Sequence, residues 1–331
     1  MQQNNPWNPE SQNQLRFHGD GASLFEIVFI NFLLKIITLG FYHPWARERR
    51  LKYVYGQTSF KGQRFEFHGT GREMFLGYIK GILLVAAFYA IFIFVILSND
   101  EVPNPSDALV ILAQVYGLML AFFLIIFPLA IHGAMKYRMA KTSWSGIRFG
   151  YRGHLGEFMK LFAVNGLLTL ITLGLYGPWF IAKMYKYLFN NTRFGDAQFS
   201  FTGRGTDLFV LYLKFIFLTP LTLGIYLFWF YRDYYRFLVG NLVIQHRESA
   251  YRCTSIMTVG QMFRWTVVNS LLIFFTLGIG KPWADVRTLR YTFGGFEIDP
   301  AFDPTLVTQN EQDYSEAMGE DLSDWLDLGF V

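Results

Sequence analysis

The stretch Ile37-Thr38-Leu39-Gly40-Phe41-Tyr42-His43-Pro44-Trp45 recurs along the chain as 171–179, 221–229 and 275–283. Such a repeat constrains the fold, because each copy is one supersecondary unit whose apolar face is buried only by stacking on its neighbours. The unit is longer than its signature. Phe17-His18-Gly19, Phe67-His68-Gly69, Tyr151-Arg152-Gly153, Phe201-Thr202-Gly203 and Tyr251-Arg252-Cys253 begin successive copies. Five units follow, near 17–66, 67–150, 151–200, 201–250 and 251–290, between a polar N-terminal tail at 1–16 and an acidic C-terminal tail at 291–331. The second unit is longer, with Pro128 at the position of Pro44 and Lys136-Tyr137 at that of Lys52-Tyr53. The third signature has Phe228 in place of proline.

What the units are made of places them in a membrane. Charged residues are 16% of the chain against roughly 25% in soluble domains. Uncharged runs at 109–131, 161–182 and 215–231 approach the ~20 residues that cross a ~30 Å hydrocarbon core. Six spans are expected, near 24–42, 74–97, 108–132, 155–177, 208–230 and 262–280. The first fourteen residues are polar and do not read as a cleavable signal. A single cysteine, Cys253, excludes an internal disulfide and reads as inert packing.

Within each signature the residue types have distinct structural roles. Gly40, Gly174, Gly224 and Gly278 suit a left-handed helix end. Pro44, Pro178 and Pro282 suit the first turn of the next helix, and Trp45, Trp179, Trp229 and Trp283 follow. Seven residues beyond each tryptophan stands a cation beside an aromatic: Lys52-Tyr53, Lys186-Tyr187, Arg236-Phe237 and Arg290-Tyr291, with Lys136-Tyr137 in the long unit. Such pairs are candidate anchors for anionic headgroups on a short surface helix. Blocks ending at Gly69, Gly153 and Gly203 carry aromatics two residues apart, such as Phe65 and Phe67, and predict β-hairpins. The expected fold is a multi-pass, predominantly α-helical membrane protein of about six spans, with short hairpins pairing into a small sheet at the membrane face.

The TLG-x-Y-x-PW signature, the cation-aromatic pairs and the Phe-x-Gly strands over residues 15–300 resemble the bacterial YjgN-like inner-membrane proteins, a domain family of unknown function. That resemblance implies a multi-pass protein of a Gram-negative inner membrane. It implies no reaction.

Charge sets two alternative topologies. With six crossings, the positive-inside rule puts 43–72, 134–154 and 232–261 in the cytoplasm and both ends outside. In the alternative, some TLG-PW segments are re-entrant, which lets units that share one surface chemistry face one way. The chain is partitioned as well: ten acids lie between Glu297 and Asp327, and no Lys or Arg follows Arg290. In the tail Leu322, Trp325 and Leu326 lie at helical spacing, which suits a partner protein or the chain's own basic surface, whereas the composition alone suits a solvated end.

No HExxH, GxSxG or P-loop pattern is present, so the chain reads as non-enzymatic, with no cofactor, metal or nucleic acid as partner. Polar residues inside the spans are the candidate site: Asn31, Asn165 and Asn269, each seven residues before a signature threonine, and Lys35. They either hydrogen-bond helices together or line a pathway. A transporter or channel for a small solute is the leading reading of this sequence, and a lipid-organising scaffold that binds anionic headgroups, and a partner through its acidic tail, is the alternative; oligomeric state is not legible in it.

Overall fold

The computed structural model describes residues 13–98 and 105–310. Ten short strands alternate with helix pairs. The strands are β1 (Arg16–Phe17), β2 (Thr58–Phe60), β3 (Gln63–Phe67), β4 (Thr142–Trp144), β5 (Ile147–Tyr151), β6 (Thr192–Phe194), β7 (Ala197–Phe201), β8 (Leu242–His246), β9 (Ser249–Ser255) and β10 (Phe296–Ile298). All join one antiparallel meander in chain order. Two-residue turns close the hairpins; Lys61-Gly62 and Ser145-Gly146 take positive φ at both positions, the geometry that matches strand twist. Phe65 and Phe67 share the inner face, while Arg64 and Glu66 point to solvent. The sheet curls until Gln14 bridges Glu297, so its last strand meets the segment preceding its first. Phe60, Trp144, Phe194, Ile244 and Ile298 fill its interior, joined by Phe302 and Val307 from the segment after β10. Thr308 caps that segment by donating to the Asp196 carboxylate through its N–H (3.0 Å) and its hydroxyl (2.9 Å). Leu322, Trp325 and Leu326 lie outside the described residues.

Each helix pair is inserted between two paired strands. The pairs are α1 (Gly21–Ile37) with α2 (His43–Gly56), α3 (Gly71–Leu97) with α4 (Pro105–Ala140), α5 (Leu155–Ile171) with α6 (Gly177–Asn190), α7 (Gly205–Leu221) with α8 (Leu227–Gly240), and α9 (Val259–Phe275) with α10 (Lys281–Gly294). Strand pairings β1·β2, β3·β4, β5·β6, β7·β8 and β9·β10 bracket them, so both feet of every helical hairpin stand on the same sheet.

This architecture overturns the expectation of a six-span helical membrane protein with only short hairpins at its surface: ten strands form one sheet on which every helix pair stands. Among the described residues, only α3 and α4 are long and apolar enough to cross a bilayer. The first helices of the other pairs have 17 residues, about 26 Å at 1.5 Å per residue, and the chain then turns back. The uncharged windows 161–182 and 215–231, which read as spans, are each a helix, its turn and the start of the return helix counted as one segment, whereas 109–131 lies within α4.

The signature is the turn itself. Leu39 N–H donates to Ile36 O (3.1 Å) and Gly40 N–H to Lys35 O (2.7 Å), the paired bonds of a Schellman helix end. The left-handed residue ending the helix is Leu39 (φ 49°), followed by Gly40 at φ 92°; Leu173, Leu223 and Leu277 repeat that conformation. Thr38 ties the two helices together, its hydroxyl donating to Leu34 O (2.7 Å) and accepting from Tyr42 N–H (3.0 Å). Pro44, Pro178 and Pro282 open the return helices, where a missing N–H costs nothing.

Tryptophans join one hairpin to the next. Trp45 packs on Gly71, Trp179 on Gly205 and Trp283 on Gly21, leaving no room for a Cβ at those glycines. The contact of Trp283 with Gly21 links the last hairpin to the first, as does the Arg290 guanidinium donating to Gly19 O (2.7 Å). In the fourth unit the next helix begins at Val259 rather than a glycine, Trp229 is 42% exposed, and Phe228 packs on Phe263.

Candidate anion-binding cavity

Between α1, α2, α10 and the end of α4 lies a cavity of about 500 Å³, within the range of small-ligand sites. Its polar lining is Asn31, Lys35, His43, Arg47, Arg50, Arg138, Asp285 and Thr288. Four cations thus face one carboxylate. Asp285 is already engaged by Arg50 (3.1 Å) and Lys281 (3.0 Å). Arg47 Nε and Arg138 Nε are buried without a hydrogen-bond partner, and so is Asn31 Oδ1. Both side chains are half-buried; a guanidinium nitrogen withdrawn from water is costly unless compensated, and the planar donor fork matches a phosphate or carboxylate. The cavity is chemically suited to an oxyanion.

Local structure sets these positions. Asn31 is 5% exposed, and its amide donates to Ala46 O (3.1 Å), which fixes α2 against α1 and turns Arg47 toward the cavity. Lys35, one turn further along α1, lines the same space. Asn269 makes the equivalent bond to Ala284 O (3.2 Å) and accepts from Arg287 (3.1 Å). Asn165 accepts from Tyr176 (3.1 Å) and Lys183 (3.0 Å). The three asparagines therefore each clasp their own hairpin and are not brought together. Of the sequence candidates, the cavity holds only Asn31 and Lys35.

The cation-aromatic pairs are split between two environments. Tyr53 accepts from Asp20 N–H (2.8 Å) and donates to Asp20 O (2.9 Å), and Tyr187 does the same at His154 (2.9 and 2.8 Å). Tyr137 donates to Glu73 (3.1 Å), Phe237 is buried against Phe201, and Tyr291 stacks on Trp265. These rings hold the feet of the hairpins. Their neighbours Lys52, Lys186, Arg236 and Arg290 face outward, Lys52 pairing with Glu48 (2.6 Å), whereas Lys136 is half-buried.

Sequence reasoning missed Arg47, Arg50, Arg138 and Asp285. The signal was the run Ala46-Arg47-Glu48-Arg49-Arg50 directly after a signature tryptophan, a density of charge that no other unit has there. Elsewhere titratable groups serve the sheet. His18 and His68 each meet a serine of the neighbouring strand, Ser59 and Ser143, at 2.7 Å. Burial pushes the Cys253 thiol up to about 12, which makes it a poor nucleophile.

No solved structure matches this chain. Inner membrane protein YjgN of Salmonella typhimurium is 31% identical over 175 residues, 49% of this chain and 40% of that protein. Inner membrane protein YjgN of Escherichia coli K12 is 30% identical over 158 residues, 48% of this chain and 36% of that protein. The matched segments thus span well under half the length of these relatives. Their names support a protein of the bacterial inner membrane whose activity is unknown. Residues 12–220 and 233–325 match one family over nearly the whole chain, and the protein belongs to it: the bacterial proteins of unknown function designated DUF898.

Proposed function

We propose that this chain is a non-enzymatic inner-membrane protein that holds the phosphate of an anionic lipid headgroup in the cavity formed by Lys35, Arg47, Arg50 and Arg138. The observation carrying this reading is the excess of cations there, with two buried guanidinium nitrogens and one buried amide oxygen left without partners. The sheet side faces the cytoplasm: residues 98–104, between the two long helices, contain no Lys or Arg, and all 29 basic residues lie elsewhere. Residues 13 and 310 then share the cytoplasmic side. Asn31 and Ala46, bonded to each other, stand eleven residues into α1, where the uncharged part of the neighbouring long helix α3 begins at Gly81. That level is the headgroup boundary, which favours a lipid phosphate as occupant.

The test is lipid retention by the full chain in nanodiscs, read by native mass spectrometry, with phosphatidylglycerol against phosphatidylcholine and inorganic phosphate as competitor. Retention of phosphatidylglycerol is expected to weaken about tenfold or more in Arg47→Gln/Arg138→Gln, since a charge-assisted hydrogen bond is worth ~1.5–3 kcal/mol. Displacement of the lipid by millimolar phosphate would identify a free anion as the true ligand. Equal retention of both lipids, unchanged in the variant, would overturn the reading.

A further inference from the structure

We infer that four of the five helical hairpins end inside the cytoplasmic leaflet, with their TLG turns among the acyl chains, and that only α3 and α4 cross the bilayer. The partner of this surface is the lipid hydrocarbon. Three observations lead there.

The first is exposure. Leu39, Leu173, Leu223 and Leu277 are 90–94% exposed at the tips, flanked on each side by further exposed apolar residues, such as Leu221 and Ile225. A leucine in the left-handed region costs about 1–2 kcal/mol, a cost that glycine or asparagine would not incur. Its presence at all four tips (φ 49–51°) is explained if an apolar side chain is needed there.

The second is the backbone. Hydrocarbon offers no hydrogen bonds, so a turn inside it must satisfy its own polar groups. Around Leu173 the N–H groups of residues 173–177 donate in order to Leu170 O, Thr169 O, Thr172 O, the Thr172 hydroxyl and Gly174 O, all at 2.7–3.1 Å. The other three tips close their donors in the same order. A water-exposed turn has no need of such completeness.

The third is depth. All hairpins stand on one sheet, so residue positions along the helices compare directly. Lys80 and Lys214 are each the tenth residue of their helix, and α5 and α9 carry no charge beyond the sixth. After that level α3 continues for 17 uncharged residues, whereas α7 has seven before its turn. Seven residues and the turn reach about 10–13 Å, short of the ~15 Å midplane of a ~30 Å core. Beyond that level stand Lys35, which faces the cavity, and Lys281, which opens α10 just after its tip and is held by Asp285 (3.0 Å).

Single cysteines at Leu39, Leu173, Leu223 and Leu277 in a Cys253→Ser background, with Ser98→Cys as control, test this in oriented vesicles. Ser98→Cys is expected to react with an impermeant maleimide from the outer side. The tip cysteines are expected to resist it from both sides until detergent denaturation. A fluorophore at each tip should be quenched more by a spin label midway along the acyl chain than by one beside the headgroup. Labelling of the tips from outside would mean full crossings. Labelling from the sheet side would mean no insertion, and protection without lipid quenching would mean a protein partner covers them; each overturns the inference. Hydrogen exchange on the unmodified protein in nanodiscs gives a check free of substitutions: residues 173–177 should exchange as slowly as α3 rather than as a surface loop.

Discussion

Replacing the turn threonines by valine separates a turn in hydrocarbon from one in water. Thr172 donates to Leu168 O at 2.8 Å and accepts from Tyr176 N–H at 3.0 Å, and valine keeps the shape while removing both bonds. In water the freed N–H finds a solvent partner, and the loss is near the ordinary net value of a hydrogen bond, ~0.5–1.5 kcal/mol. In hydrocarbon the Tyr176 N–H is stranded, and the cost rises to roughly 1–3 kcal/mol by the protein scale and more by hydrocarbon transfer. Thr38, Thr222 and Thr276 occupy equivalent turns far from one another, so their costs should add, to roughly 4–12 kcal/mol for all four substitutions. Thr→Ser at the same positions retains the hydroxyl and serves as reference. The assay is unfolding in nanodiscs by steric trapping, which reports a free energy without extrapolation from denaturant. If Thr→Val costs no more than Thr→Ser at the four turns, the hydroxyl bonds are dispensable and the reasoning that puts these turns out of reach of water fails.

Two further outcomes follow from the packing and from the charge on the sheet. Gly71→Val should destabilise by ~3 kcal/mol or more, because its side chain would occupy the place of the Trp45 ring, whereas Gly156→Val meets nothing within 4 Å and should stay within about 1 kcal/mol in the same thermal-shift assay. His18 is held below the usual imidazole value by burial and then by Arg64, Arg16 and Arg290, so the fold favours its neutral form. The stability it contributes is present above pH 6.5 and is lost as pH falls below it; a melting curve of His18→Gln should lack that part of the acid decline.

How much of this was legible depended on whether a residue's role is local. The hairpin blocks were readable because alternation and a glycine turn are properties of ten neighbouring residues, and Phe65 with Phe67 carries the signal whatever surrounds it. The TLG turn was readable as a break, since Gly40 and Pro44 mark a helix end and a helix start. Hydropathy does not distinguish a break inside a membrane from one beyond it. Residues 215–231 are one uncharged run to a sliding window, although Leu221 ends one helix and Leu227 begins another that runs the opposite way. Length was the deciding quantity: α3 exceeds its siblings by ten residues, and only a common sheet makes that difference a depth.

The two members of each cation-aromatic pair were not separable in the sequence for a related reason. Two adjacent residues on a helix point about 100° apart, so Tyr53 can clamp Asp20 while Lys52 faces outward, and adjacency in sequence says nothing about which of them meets a headgroup. The cavity was illegible because it draws on α1, α2, α4 and α10, which are joined only when Trp283 seats on Gly21 and brings the last unit beside the first. Each unit carries cations in its return helix, yet only here does the closure bring Arg47 and Arg138 into one cavity while Asp285 is taken by Arg50 and Lys281. The proposed site at the seam rests on the unequal sequences of the units: a ring of identical units would have five weak basic surfaces, and the divergence of the first, second and last concentrates the uncompensated charge in one place.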